Sequence, residues 1–378
     1  MATMVFVFYP EMGHLNPTLK FARILQARGH AVHYFGLCDF EERVRSQGMS
    51  FIPMFESLCP KGFVRQAAES RVEIYEAVLL LARKSGVPLN PAREFAGVVG
   101  KTRPDLFVID LLLPELAALV SGQRLPTVLL NTQLYNPWKD EKARREESER
   151  FDPVVSLPEL ILCPERFDFP HAGRKENSHY IEASIDLERK DTPFPWHRID
   201  DERPLLYCSF GSQSHLIGGT EKFFRLLIEA VGLRPDWQAA VAIGSGLRVE
   251  DFGPTPPNVV LVNTAPQLEL LERASVVISH GGFNSVKECI FYGVPMLLFP
   301  VIRDHPAIAA RVVYHGLGLS ANIHTGSVEQ LNSLIDRVSR SPSFKTNVVE
   351  MSREFRRMED SARGAQIIEA LLRERRKI

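Results

Sequence analysis

The stretch from Val277 to Pro300 reads V-I-S-H-G-G-F-N-S-V-K-E-C-I-F-Y-G-V-P-M-L-L-F-P. An apolar run ending at Ser279 is cut by His280, Gly281 and Gly282. A helical pattern starts near Asn284 and stops at Gly293, before a second apolar run from Val294 to Phe299. That is strand, glycine turn, helix and strand. The glycines let backbone come close to a ligand, and the new helix turns its free N–H groups and positive dipole end toward the same space, so an anion such as a phosphate fits there. Ser285-Val286-Lys287-Glu288 also matches a capping box, in which Glu288 merely bonds back to the turn. Polar groups lie at two neighbouring strand ends as well, Thr264-Ala265-Pro266-Gln267 upstream and Pro300 to His305 downstream. Crevices outside the carboxyl ends of parallel strands are where α/β folds bind ligands.

Two further residues could move protons. His14 follows the first apolar run, and an imidazole of ordinary pKa near 6.5 accepts a proton at neutral pH. Asp110 ends another apolar run, Asp105 to Asp110, which should lie in the same sheet. Taken singly, His14 reads equally well as a turn histidine bonded to backbone, and Asp110 as a carboxylate that starts a helix.

The elements that must position these groups alternate along the chain. In the first half, strands are expected at Val5–Tyr9, Ala31–Leu37, Phe51–Phe55, 105–110 and Thr127–Asn131, all short and apolar as in strands buried on both faces. Asn16 is placed to cap the first helix with Pro17 at its first position, and Gly29 ends it. In the second half, strands are expected at Leu205–Ser209, Ala239–Ile243, Val259–Val262, Val276–Ser279 and Met296–Phe299, with helices between. This βαβ rhythm predicts two doubly wound α/β sheets.

With 378 residues the chain is long for one core and suggests about two or three domains. Prolines and charges between Glu188 and Pro204 have linker composition, giving domains at 1–190 and 204–356 with a linker at 191–203. A hydrophobic fraction of 45%, a charged fraction of 24% and a net charge of −1 describe an ordinary globular protein with nothing to recruit nucleic acid. Five scattered cysteines form no C-x-x-C pair, no uncharged stretch is long enough to span a bilayer, and the amino terminus shows no cleavage signal. A cytoplasmic, soluble protein, monomeric or weakly dimeric, is therefore expected. The mixed charge run Lys139–Arg150 reads as a solvated helix or loop.

The segment from Thr264 to His305 resembles the signature of the UDP-glycosyltransferase superfamily (glycosyltransferase family 1), W-x-P-Q, then H-x-G-x-N-S-x-x-E, then P-x-x-x-D-Q, over about forty residues in the correct order. The resemblance is to members of bacterial natural-product type. It implies the GT-B architecture, two Rossmann-like domains facing across a cleft, the first binding the acceptor and the second the nucleotide sugar, with a last helix at about 357–378 packing back on the first. It implies an inverting hexosyl transfer from a nucleotide sugar, UDP-glucose first, to a hydroxyl of a small lipophilic acceptor. His14, in Gly13-His14-Leu15-Asn16-Pro17, matches the family's general base and Asp110 its acidic partner.

On the donor side, His280, Gly282, Phe283, Asn284 and Ser285 are implied at the diphosphate, together with Gly211 and Ser212 of a second phosphate turn. Glu288 falls to the ribose, with Gln267, Thr264 and Ala265 at ribose or base. Asp304, His305 and Thr132 fall to the sugar hydroxyls. No cofactor is implied beyond the nucleotide sugar as co-substrate. The chain has no D-x-D sequence, so transfer without a metal is expected.

Two positions depart from the pattern. Thr264 stands where relatives place an aromatic that stacks on the base, which leaves thymine as open as uracil, and His305 stands where glucose-using relatives commonly carry glutamine. Tyr135, Trp138, Phe63 and Tyr75 are candidate linings of an acceptor pocket. A GT-B nucleotide-sugar 2-epimerase and a non-catalytic nucleotide-sugar-binding partner module stay open as other readings. A Rossmann dehydrogenase is disfavoured because no G-x-G-x-x-G follows the first strand.

Overall fold

The structure is a computed structural model. It describes residues 1–70, 72, 74–86, 89–134, 154–170, 176–189, 192–211, 214, 217–324 and 326–375. Ser212, Tyr135, Trp138, the run 139–150 and the side chain of Tyr75 lie outside the described residues.

The first half folds as β1 (Thr3–Val7), α1 (Met12–Ala27), β2 (Ala31–Gly36), α2 (Glu41–Arg45), β3 (Ser50–Pro53), α3 (Phe63–Glu69), α4 (Ile74–Ser85), α5 (Pro91–Thr102), β4 (Leu106–Asp110), α6 (Pro114–Gly122), β5 (Thr127–Asn131), β6 (Glu159–Ile161) and β7 (Ser178–Tyr180). The second half follows with β8 (Leu205–Ser209), α7 (Thr220–Gly232), β9 (Gln238–Ala242), β10 (Val259–Val262), α8 (Gln267–Arg273), β11 (Ala274–Ser279), α9 (Phe283–Tyr292), β12 (Met296–Leu298), α10 (His305–Tyr314), β13 (Gly318–Ser320), α11 (Val328–Arg340), α12 (Pro342–Glu359) and α13 (Arg363–Arg375).

The strands form two parallel sheets, in the orders β3-β2-β1-β4-β5-β6-β7 and β10-β9-β8-β11-β12-β13. Helices cover both faces of each sheet, so every residue of the central strands β4 and β5 is buried, with an apolar run in the middle of each. This is the GT-B fold expected from the sequence. The strands β6, β7 and β13, of three residues each, went unforeseen, because so short a run carries no periodicity.

Register fixes the sites. Val7 pairs with Ile109, and Asp110 with Leu130, so the carboxyl ends of β1, β4 and β5 stand side by side. In the second sheet Ser279 pairs with both Ser209 and Leu298, which aligns the ends of β8, β11 and β12. In both sheets the chain leaves the paired central strands in opposite directions, the switch point where α/β folds hold ligands.

One local expectation is corrected. Asn16 does not cap the first helix, because α1 starts at Met12, four residues earlier, with extended Glu11 as its flank, and Pro17 lies inside it. Pro17 is tolerated there because a proline near a helix start removes a donor that would otherwise pair with the carbonyl of Gly13, and that carbonyl finds another partner, described below. His14 is thereby placed on the first turn of a helix rather than in a loop.

The two halves are joined by side chains as well as by sequence. Phe167 stacks on Phe283 with centroids 6.1 Å apart and meets Phe355 edge-on. Arg311, fully buried, pairs with Asp168 at 2.7 Å, and Asp168 also accepts the Tyr180 hydroxyl at 2.6 Å. The last helix begins at Arg363 rather than 357, because Ala362 adopts a left-handed conformation (φ 49°) between it and α12. Ala365 and Ile368 are buried in the core of the first half, and Arg28 donates two 2.7 Å bonds to Glu369, so α13 packs on α1.

Candidate functional site

His14 is 4% exposed and lies at the foot of the cleft, where α1 leaves β1. Its Nδ1 is 2.8 Å from Asp110 Oδ2 and 2.8 Å from Thr132 Oγ1, so an N–H there is shared between a carboxylate at the end of β4 and a hydroxyl just past β5. Asp110 stands behind the imidazole, off the cleft wall, and its other oxygen accepts the Leu112 N–H at 2.9 Å. With Nδ1 protonated, the lone pair sits on Nε2, which meets the Gln133 side-chain amide at 3.4 Å. Burial alone would lower the His14 pKa. The Asp110 carboxylate, helped by Glu11 and Asp304, outweighs it, and the net shift is upward from 6.5.

The opposite wall is built by the second sheet. Gly282 leads into α9, whose first N–H groups have no partner within the helix and point into the cleft. The His280 imidazole is held between two glycines: a Cβ on Gly211 would lie 2.9 Å from its Cε1, and one on Gly282 only 2.4 Å from its Nε2. These glycines are therefore required by the histidine's place as much as by any ligand. Burial pushes His280 down to about 4, against a hydrogen bond with the Ser209 backbone, so its ring is neutral at pH 7. His305 packs perpendicular to it, centroids 4.4 Å apart, and is pushed down to about 3 by burial, by His280 and by Arg303. Among the described residues the Nδ1 atoms of both rings and Asn284 Oδ1 are buried without a hydrogen-bond partner, as expected of polar atoms kept for a ligand.

Glu288, one turn into α9, accepts Arg189 at 2.6 and 3.2 Å and the Gln267 amide at 2.5 Å, while Gln267 Oε1 accepts the Tyr207 hydroxyl at 3.1 Å. Thr264 and Ala265 follow β10 along the same wall, Asp304 flanks the start of α10, and burial raises the Asp304 pKa. One cleft of about 660 Å³ is lined by His14, Thr132 and Gln133 on one side. On the other stand Gly211, Thr264, Ala265, Gln267, His280, Gly282, Phe283, Asn284, Ser285, Glu288, Asp304 and His305. His14 and His280 thus face a common space.

Direct bonds cross it among the described residues. Asn284 Nδ2 donates to the Gly13 carbonyl at 2.6 Å, the acceptor left over by Pro17, and Arg303 makes a two-pronged pair with Glu11 at 2.6 and 2.9 Å. Sequence reasoning missed Gln133, Glu11, Arg303 and Arg189. It did not foresee that the Thr132 hydroxyl is bonded to His14. No local pattern marks such residues, since each acts through a partner about a hundred or more positions away.

Among the described residues no three of His, Cys, Asp and Glu converge as metal ligands, no helix is long and apolar enough to cross a membrane, and all five cysteines are free and buried.

The chain is similar to known proteins along its length. Residues 247–361 match the family model described as UDP-glucoronosyl and UDP-glucosyl transferase. The chain is 25% identical to demethyllactenocin mycarosyltransferase of Streptomyces fradiae, covering 98% of this chain and 87% of that protein. It is 27% identical to NDP-glycosyltransferase YjiC of Bacillus subtilis (strain 168), covering 96% of each. Among solved structures, the glycosyltransferase of kitacinnamycin superposes with a TM-score of 0.77 over 98% of both chains at 24% identity. The family model thus meets the signature over residues 247–361, and similarity to named glycosyltransferases extends along the chain.

Proposed function

We propose that this chain, which carries the UDP-glucoronosyl and UDP-glucosyl transferase domain on a GT-B fold, transfers a hexose from a nucleotide sugar to a hydroxyl of a small natural-product acceptor in one inverting displacement. The observation that carries the reading is the His14–Asp110 pair, 2.8 Å apart and buried, placed across one cleft from the amino end of α9.

In the reaction the acceptor hydroxyl takes the position in front of His14 Nε2 that the Gln133 amide holds here. As the acceptor oxygen bonds to the anomeric carbon, its proton passes to Nε2 and the imidazolium is stabilised by Asp110. The bond from the anomeric carbon to the phosphate oxygen breaks on the opposite face. The electron pair leaves with the nucleoside diphosphate, whose growing charge is met by the dipole and N–H groups of α9 and by the neutral His280 ring. Neutral donors suit this role because they stabilise charge without binding the product permanently. On this reading the diphosphate needs no metal. Asp304 and His305, which line the same cleft, would bind the sugar hydroxyls, and Thr132 would hold the His14 tautomer through its bond to Nδ1. UDP-glucose and dTDP-sugars are both donors to try, since Thr264 supplies no aromatic stack that would fix the base.

The test is His14→Ala. Nucleoside diphosphate binding should persist within about twofold, while transfer falls by about a hundredfold or more, the usual contribution of a general base. Turnover at the wild-type rate would remove His14 from the mechanism.

A further inference from the structure

The Arg189–Glu288 pair has a consequence for which nucleotide fits. On the reading above Glu288 would meet the ribose, yet its carboxylate is largely spoken for. Oε1 accepts Arg189 Nη1 at 2.6 Å, and Oε2 accepts both Arg189 Nη2 at 3.2 Å and Gln267 Nε2 at 2.5 Å. A carboxylate offers about four acceptor positions, so about one is left, on Oε1. Gln267 cannot turn away cheaply, because its own carbonyl is tied to the Tyr207 hydroxyl. Arg189 is held more firmly still. The two side chains are only 19% and 8% exposed, the bonds are charge-assisted, and parting them would leave a buried carboxylate without its counter-ion. A ribose brings two vicinal hydroxyls that seek acceptors, whereas a 2′-deoxyribose brings one.

We propose that Arg189 is a nucleotide-specificity residue, which by occupying Glu288 makes this site favour 2′-deoxyribonucleoside diphosphates over their ribose counterparts. The inference rests on the reading of the α9 end as the nucleotide-sugar site and adds the sugar of the nucleotide to it. Arg189 comes from the segment between the two sheets, outside the signature, so relatives that share the signature need not share the preference.

The experiment is isothermal titration of the full chain with UDP, 2′-deoxy-UDP, dTDP and ribothymidine diphosphate, a set that separates the 2′-hydroxyl from the base methyl. For the wild type we expect each deoxy ligand to bind about fivefold to tenfold more tightly than its ribose partner, the effect of one hydrogen bond. In Arg189→Gln, Glu288 regains acceptor capacity, and the ratio should fall to one or invert. Arg189→Lys, which keeps the charge but makes a single contact, should lie between, and it guards against a misfolded first variant. A ratio of one or below in the wild type, or a ratio unchanged in Arg189→Gln, overturns the proposal. Failure of all four ligands to bind the folded wild type would overturn the nucleotide-sugar reading itself, a result distinct from loss of the 2′ preference alone.

Discussion

Replacing Asp110 by asparagine probes the base without touching the cleft wall. The carboxylate makes two bonds at once, accepting the Leu112 N–H on Oδ1 at 2.9 Å and the His14 Nδ1–H on Oδ2 at 2.8 Å. An amide can accept at only one of these positions. If its oxygen stays on Leu112, its NH2 faces Nδ1, and the imidazole must carry its proton on Nε2, where the acceptor proton should arrive. The perturbation therefore inverts the tautomer as well as removing a charge.

A buried charge-assisted hydrogen bond is worth about 1.5–3 kcal/mol, so losing it lowers the His14 pKa. In the wild type that pKa is raised above 6.5, so kcat/KM should climb as pH rises through a value above 6.5 and the imidazole sheds its proton. Stability runs the other way. The raised pKa stabilises the fold fully below the unfolded value of about 6.5, and that contribution is lost as pH rises through the folded value.

In Asp110→Asn, burial is left to act with less opposition, and the acid limb of kcat/KM should move below its wild-type position. The plateau should fall by about a hundredfold to ten-thousandfold, with nucleoside diphosphate affinity within about twofold. A profile measured with saturating donor, beside a titration of nucleotide binding, reads all three. An unmoved acid limb and an unchanged plateau would refute the assignment of Asp110 as the partner of His14.

The other wall makes predictions of its own. Gly282→Ala puts a Cβ 2.4 Å from His280 Nε2, so the ring must leave its slot, and nucleoside diphosphate affinity should drop by about tenfold or more by calorimetry with the circular dichroism spectrum unchanged. Arg311→Met strands Asp168 at a buried junction between the halves, and urea unfolding should show a loss of about 3–5 kcal/mol, whereas a loss under about 1 kcal/mol would mean the pair is solvated in solution.

What the sequence disclosed and what it hid divide along the range of the interactions. The strands leading to His14 and Asp110 are continuous apolar runs, and the turn at His280–Gly282 announces a strand giving way to a helix, so both walls of the cleft could be read before any coordinates. The start of α1 was misread because Asn16-Pro17 looks like a cap. The Gly13 carbonyl freed by that proline is met by Asn284 from 271 residues away, a partner no local pattern shows. Thr132 was legible as a strand-end hydroxyl but not as a second ligand of His14 Nδ1, since that depends on the register of β4 against β5. Glu11 with Arg303, and Arg189 with Glu288, are pairs of surface-type residues that sequence statistics assign to solvent. The closing of one sheet over the other puts them in the cleft.

The claim on which the rest depends is that a diphosphate sits at the amino end of α9 with His14 looking at it. A crystal structure of the chain with a bound nucleoside diphosphate tests this most directly. It should show phosphate oxygens on the first N–H groups of α9 and on His280, with an open path of one sugar ring between the terminal phosphate and His14 Nε2. A diphosphate seated elsewhere, or one separated from His14 by protein, would contradict it.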